Sequence, residues 1–241
     1  ILLAVDVSGS MATRDMADDA SRLQVVRSVA GDFIDSRRGD QVGLILFGTQ
    51  PYVQAPLTHD LATVHRFLDE AVVGIAGTET AIGDAIGLAL KRIEAAPAPA
   101  GSPSPESAQP NHTVLILLTD GQNDAGVMDP LQAADYAAQA GLRIYTIGVG
   151  AVAQSGAFNG PGNDDLDEAT LKSIARRTGG RYFRAADGDT LQAVYREIDR
   201  LEPVVGRDEW LRPPEEWFPV PLTIALLLSV PCVWAAARKW S

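Results

Sequence analysis

Cysteine occurs once in this 241-residue chain, as Cys232, and histidine three times, as His59, His65 and His112. A single cysteine excludes an internal disulfide framework and a cysteine-based zinc site. The histidines are not spaced as a metal-binding pair, so a bound metal would have to be a hard, oxygen-preferring cation. Positive charge is scarce as well: 20 Lys and Arg stand against 31 Asp and Glu, giving a net charge of -11. That balance argues against nucleic acid as a partner, because phosphate backbones demand basic patches. Also missing are a G-x-x-x-x-G-K-S/T phosphate loop, a G-x-S-x-G nucleophile elbow and a histidine in a recognisable triad. The chain starts at Ile1 inside an apolar run, so it reads as a fragment whose upstream part is missing, and no signal peptide can be judged from it.

One long stretch lacks charge altogether. "WFPVPLTIALLLSVPCVWAAA" runs from Trp217 to Ala237 and would extend about 30 Å as a helix, the hydrocarbon thickness of a bilayer. Trp217, Phe218, Trp234 and Trp240 lie toward its ends, as interfacial anchors do. Pro219 and Pro221 suit the first turn, and Pro231 predicts a kink. Arg238 and Lys239 follow the run, whereas Glu215 and Glu216 precede it. The positive-inside rule then makes residues 238–241 a cytoplasmic tip and sets the preceding domain on the other side of the membrane. Residues 203–216, rich in proline and charge, read as a tether.

Upstream, strand and helix patterns alternate. "ILLAV", "QVGLILF", "TVLILLT" and "RIYTIGV" are short apolar runs suited to strands buried on both faces. "YVQAPL", after the turn "GTQP", reads as an antiparallel edge strand. Leu23, Val26, Ala30 and Phe33 recur at helical spacing, as do Leu191, Val194, Ile198 and Leu201. "LDEATLKSIARRTGG" opens acidic and closes on arginines and a glycine pair, in keeping with helix polarity and C-capping. The alternation predicts an α/β fold over residues 1–202: a doubly wound, mostly parallel sheet with one antiparallel edge strand and helices on both faces. Residues 96–111, rich in Ala, Pro and Ser, read as a solvated insert at the sheet's N-terminal edge. The stretch 151–168 instead leaves the C-terminal end of a strand, on the edge where open α/β sheets bind ligands. It reads first as a solvated linker and second as a loop that shapes partner choice, with Asp164, Asp165 or Asp167 touching the site.

That same edge collects oxygen. The first strand ends in "DVSGS", offering Asp6, Ser8 and Ser10 on alternate positions. "GTETAIGDAIGLAL" places Thr80 just before a helix that begins around Ile82, and "LTDG" places Asp120 directly after a buried strand. Each has a bland reading, as turn former or helix cap. Taken together, five oxygen side chains come from three loops of one sheet edge. Gly9 and Gly121 are expected to let the backbone turn sharply there. Asp15, Asp18 and Asp19 read as a solvated helix-start face.

In that order on this pattern, "DVSGS", "TAIG" and "LTDG" resemble the metal-ion-dependent adhesion site (MIDAS) of the von Willebrand factor A family. The resemblance implies that Asp6, Ser8, Ser10, Thr80 and Asp120 surround one Mg²⁺ or Mn²⁺. Thr78 competes for the third loop, and the T-x-x-G spacing favours Thr80. Longer segments, among them "LTDGQNDAGVMDPLQAA" and "LKSIARRTGGRYFRAADGDTLQAVYREIDRLE", are similar to bacterial BatA/BatB-type aerotolerance proteins. Those carry membrane helices before and after the domain, with the domain outside the cytoplasm of a bacterial inner membrane.

Three functions compete. The first is a non-enzymatic, cation-dependent module whose metal takes a carboxylate from a protein partner as its last ligand. The Bat-type resemblance implies other Bat-like A-domain proteins and a MoxR-type AAA+ ATPase as partners. The second is a Mg²⁺-dependent phosphotransfer enzyme, disfavoured because Ser8 stands where such folds need a second acid. The third is a chelatase-type or cochaperone subunit of an AAA+ machine, which the apolar C-terminal run opposes.

Overall fold

Burial on both faces decides which segments become the central strands. β1 (Leu2–Asp6), β2 (Val42–Phe47) and β4 (Val114–Thr119) are buried at every position, and β5 (Arg143–Val149) at all but its first. Near-continuous Val, Ile and Leu is what such strands require, since neither face meets water. β3 (Tyr52–Thr58) and β6 (Tyr182–Ala185) are half-buried and take the two edges of a six-stranded sheet ordered β3-β2-β1-β4-β5-β6. Every pairing is parallel except β2 with β3. The computed structural model describes residues 1–16, 19–95, 113–150 and 167–203, all of them within one compact unit, Ile1–Val204.

Side chains of a strand alternate between faces, and the core divides accordingly. Leu3 and Val5 of β1 pack with Val26 and Phe33 of α1 (Arg22–Ser36), Val64 and Leu68 of α2 (Leu61–Asp69), and Leu191 and Ile198 of α6 (Gly188–Leu201). Leu2 and Ala4 face the other layer, against Ile82 and Ile86 of α3 (Ile82–Glu94), Ala133 of α4 (Pro130–Gln139) and Leu171 and Ile174 of α5 (Glu168–Arg177). The expected mixed α/β sheet with helices on both faces is therefore present. β6, α2 and α4 are elements the apolar pattern did not announce: "YFRA" is short, half-exposed and contains an arginine.

Among the described residues no helix is long and apolar enough to cross a membrane. The run 217–237, the insert 96–111 and the tether beyond its first residue, Pro203, all lie outside the described residues.

Helix starts follow the usual capping chemistry with one exception. Ser21 and Gln24 form a capping box on α1, Asp129 caps α4 ahead of Pro130, and Asp167 and Asp187 cap α5 and α6. The N-cap of α3 is Ala81, which has no side chain to offer. Its first amides are met from another loop: Asn123 Oδ1, beyond β4, accepts from Ile82 N at 2.7 Å and from Gly83 N at 3.3 Å. That loop lies so close to α3 that a Cβ on Gly83 would overlap the Met128 carbonyl oxygen. Gly83→Ala is expected to cost about 1–3 kcal/mol of stability through overpacking. Gly87→Ala, whose new Cβ meets only the flexible end of Met128, Sδ at 3.2 Å and Cε at 3.4 Å, should cost less and gains helix propensity. Urea denaturation of both variants measures the difference; equal midpoints would contradict this packing.

Candidate metal centre

The chain leaves β1 toward β2 on one side, while β4 lies on the other. A crevice therefore opens at the carboxyl ends of β1 and β4, where open α/β sheets bind ligands. Asp6 closes β1 with no exposed surface. Its Oδ1 accepts from the Ser8 amide at 2.8 Å, so the chain folds back on its own carboxylate. Its Oδ2 accepts from Thr119 Oγ1 at 2.6 Å, which fastens the ends of β1 and β4 together. A single 3-10 turn, Gly9–Ala12, follows and is anchored by the buried Met11. It brings Ser10 Oγ to 3.1 Å from Ser8 Oγ and lets Ser10 donate to Asp120 Oδ1 at 2.6 Å.

The other two loops are locked to this one. Gly74 N donates to Val7 O at 2.6 Å and Gly9 N to Thr78 O at 3.0 Å, so the α2–α3 connection lies along the first loop. Thr80 is held at both backbone ends by the loop after β4: its N–H donates to Asp124 Oδ1 at 2.6 Å, and its carbonyl accepts from the amides of Asp124 and Ala125 at 3.1 and 3.2 Å. A Cβ built on Gly121 would lie 3.5 Å from Thr80 Oγ1 and 3.9 Å from Ser10 Oγ. Both hydroxyls thus flank the turn that carries Asp120. Thr80 is 4% exposed, whereas Thr78 is exposed and contributes its carbonyl. All five sequence candidates (Asp6, Ser8, Ser10, Thr80 and Asp120) meet at this one edge.

Several expectations need correction. Gly9 and Gly121 do not supply a left-handed turn, since neither has a positive φ. A Cβ on Gly121 would make only ordinary contacts with the Thr80 and Ser10 hydroxyls. Thr80 does not take the bland role of helix cap either: Ala81 holds the N-cap position of α3, and the remote Asn123 meets its first amides. Asp15 is no solvated face: it takes both Nε and Nη2 of Arg22, at 2.9 and 2.6 Å. Asp19 is exposed and pairs with Arg14, while Asp18, Asp164 and Asp165 lie outside the described residues. Asp167 accepts from Thr170 N at 3.0 Å as the cap of α5.

Sequence reasoning also missed Thr119, Asn123, Asp124 and Arg22. Arg22 Nη1 donates to Asp120 Oδ2 at 2.9 Å. A signal for it existed, because a basic residue in the first turn of a helix opposes the helix dipole and calls for another partner.

Two carboxylates, Asp15 and Asp120, share the one guanidinium of Arg22, and the Asp6 carboxyl lies beside Asp120 without it. Burial, and then the adjacent charge of Asp120, push the Asp6 carboxyl up to about 7. Asp120 is raised too, by burial first, against the lowering pull of its bonds from Ser10 and Arg22. No three His, Cys, Asp or Glu side chains converge as a metal cluster among the described residues. The donor set is two carboxylates with three hydroxyls. Hard neutral oxygens around an excess of buried negative charge fit a small divalent cation, and Mg²⁺ in particular is held by one or two carboxylates with waters in the remaining positions.

Comparison with known proteins bears on this geometry. The model of the von Willebrand factor type A domain matches residues 1–197. A UPF0353 protein of Nocardia farcinica is 30% identical over 226 residues, covering 86% of this chain and 63% of its own length. The chain spans about three fifths of the curated relatives it matches. BatB of Bacteroides thetaiotaomicron has a similar structure at 26% identity, with a TM-score of 0.63 and 83% and 97% of the two chains covered. An aerotolerance-related membrane protein of Bacteroides fragilis is similar at 25% identity, with a TM-score of 0.64 and coverage of 83% and 96%. The mussel byssus proximal thread matrix protein, solved with zinc in its MIDAS motif, shares the fold at 22% identity, with a TM-score of 0.60 over 83% of this chain and 44% of that one.

In the cation-free protein the fold retains a proton on Asp6 that the unfolded chain releases near 3.8. The resulting stabilisation is complete below about pH 4 and is lost as pH rises through the folded value. A divalent cation held at this site would replace that proton, so a thermal shift caused by Mg²⁺ or Mn²⁺ is expected to grow from about pH 5 to about pH 8. Thermal denaturation of wild type and Asp6→Asn across this range checks it, and the Asn variant should lose most of the slope. A cation shift of the same size at both ends of the range contradicts the assignment.

Proposed function

The chain belongs to the von Willebrand factor type A family, and we propose that it is a membrane-tethered adhesion module rather than an enzyme. Its Asp6, Ser8, Ser10, Thr80 and Asp120 hold one Mg²⁺ or Mn²⁺, and the cation takes an acidic side chain of a protein partner as its last ligand. The observation that carries this reading is the hydroxyl–carboxylate chain Ser8–Ser10–Asp120, linked at 3.1 and 2.6 Å beside the buried Thr80.

The chemistry follows from the donor types. Both Asp6 oxygens already accept hydrogen bonds, from Ser8 N and Thr119 Oγ1, which suits a carboxylate acting through water. Asp120 divides its oxygens between Ser10 and Arg22. Neutral hydroxyls then supply the direct protein ligands, and the cation keeps most of its charge for an incoming carboxylate. Ser8, standing where a phosphotransfer fold would need a second acid, supports binding over catalysis.

The likeness to BatB and to an aerotolerance-related membrane protein, with the uncharged run 217–237 of the sequence, supports a place in a bacterial inner membrane with the domain on the extracytoplasmic side. Other Bat-like A-domain proteins and a MoxR-type AAA+ ATPase are the partners this reading names. Titration with Mn²⁺ is expected to give one site in the wild type, weakened at least about tenfold in Asp120→Ala and in Thr80→Ala. Partner capture from solubilised membranes should disappear with EDTA and with Thr80→Ala. Capture indifferent to both would reject metal-mediated adhesion.

A further inference from the structure

Arg22 occupies a slot built for a guanidinium. It is the first residue of α1, and its side chain, 12% exposed, turns back onto the sheet edge. Asp15 grips it through two parallel bonds, Nε to Oδ1 at 2.9 Å and Nη2 to Oδ2 at 2.6 Å. The remaining nitrogen, Nη1, donates to Asp120 Oδ2 at 2.9 Å. The third wall is backbone. Gly150, at the end of β5, has φ +133, and a Cβ there would come within 3.0 Å of Arg22 Cζ and 3.1 Å of Nη2. Glycine is thus required twice over, for its conformation and for the space the guanidinium fills.

The consequence lies in how Asp120 is divided. Ser10 holds Oδ1 at 2.6 Å and Arg22 holds Oδ2 at 2.9 Å. A carboxylate fixed at both oxygens cannot swing to chelate a cation with the pair. One whose outer oxygen bears a permanent guanidinium charge also neutralises the cation less. We propose, on the premise that the five-residue site binds a divalent cation, that Arg22 is a positioning residue which holds Asp120 to one oxygen and part of its charge, lowering cation affinity and raising the cation's appetite for the partner's carboxylate. Asp15 tunes the effect by neutralising the far side of the guanidinium. Arg22 is not itself a ligand of the cation; it acts through Asp120.

The proposal makes the two neighbours of this ion pair pull in opposite directions. Replacing Arg22 by a neutral residue removes positive charge from beside the cation, so Mn²⁺ should bind more tightly. Replacing Asp15 by asparagine leaves the guanidinium uncompensated, so Mn²⁺ should bind more weakly. Damage to a merely structural ion pair would weaken both. The test uses the full chain in detergent micelles, titrated with Mn²⁺ and followed by the loss of the free-ion electron paramagnetic resonance signal. Arg22→Gln is expected to gain about tenfold in Mn²⁺ affinity and Asp15→Asn to lose several-fold. Acetate, added to the Mn²⁺-loaded protein as a probe of the open position and read by water-proton relaxation, should bind Arg22→Gln more weakly than wild type. Arg22→Met is made alongside, so that a folded neutral variant is in hand, with folding checked by circular dichroism. Unchanged or weaker Mn²⁺ binding in a folded neutral variant overturns the proposal, as does stronger acetate binding. Failure of the wild type to bind Mn²⁺ overturns the underlying site assignment instead, and the two failures are distinguishable in the first titration.

Discussion

A carboxylate with no exposed surface, at the end of a parallel strand, is the constraint on which this structure turns. Asp6 is buried beside a second carboxylate, Asp120, and such a group persists only if hydrogen bonds or a counter-charge answer it. The surrounding loops are arranged to do so. The chain doubles back so that the Ser8 amide reaches one oxygen, and Thr119 of the neighbouring strand reaches the other. Arg22 comes from a helix to meet Asp120. The loops are tied to one another mostly by backbone, through Gly9 to Thr78 and Asp124 to Thr80. The result is a rim of hydroxyls and carboxylates whose loops are tied together by hydrogen bonds, which is what a site needs if it is not to reorganise on binding.

The parts of this architecture visible in the sequence are those governed by local rules. β1, β2, β4 and β5 are legible because strands buried on both faces must be apolar throughout, α1 and α6 because one face repeats at helical spacing, and α5 because its charges follow helix polarity and a glycine pair ends it. The five oxygen residues were legible for a different reason: D-x-S-x-S, T-x-x-G and T-D-G each follow a recognisable strand end or precede a helix start, so the topology itself brings them to one edge. β6 escaped because an edge strand of four half-buried residues has no distinctive composition. Arg22 escaped because the local signal, a basic residue in a helix's first turn, does not name a partner 98 residues away, Asp120. Asp15 was misread although its partner Arg22 is only 7 residues away, since an acidic residue before a helix looks the same whether it meets water or a guanidinium. The capping of α3 by Asn123 is a third case, in which a loop from across the sheet does what the preceding residue normally does.

Function, on this reading, is a matter of restraint in the coordination shell. A site with every carboxylate directly on the metal would bind it tightly and leave it with little attraction for anything else. Three hydroxyls, with two acids already engaged elsewhere, leave the cation short of negative charge. The position that remains open is then best filled by an anionic oxygen from outside the chain. Arg22 extends the same logic one step outward by occupying the second oxygen of Asp120.

The central claim is a single divalent cation held by oxygens of three loops, and anomalous diffraction from crystals of the protein grown with Mn²⁺ tests it most directly. The account predicts one strong peak at the carboxyl ends of β1 and β4, with the hydroxyl oxygens of Ser8, Ser10 and Thr80 at about 2.0–2.3 Å and an exchangeable ligand opposite the protein. A peak elsewhere, or one coordinated without Thr80 and the two serines, would contradict it.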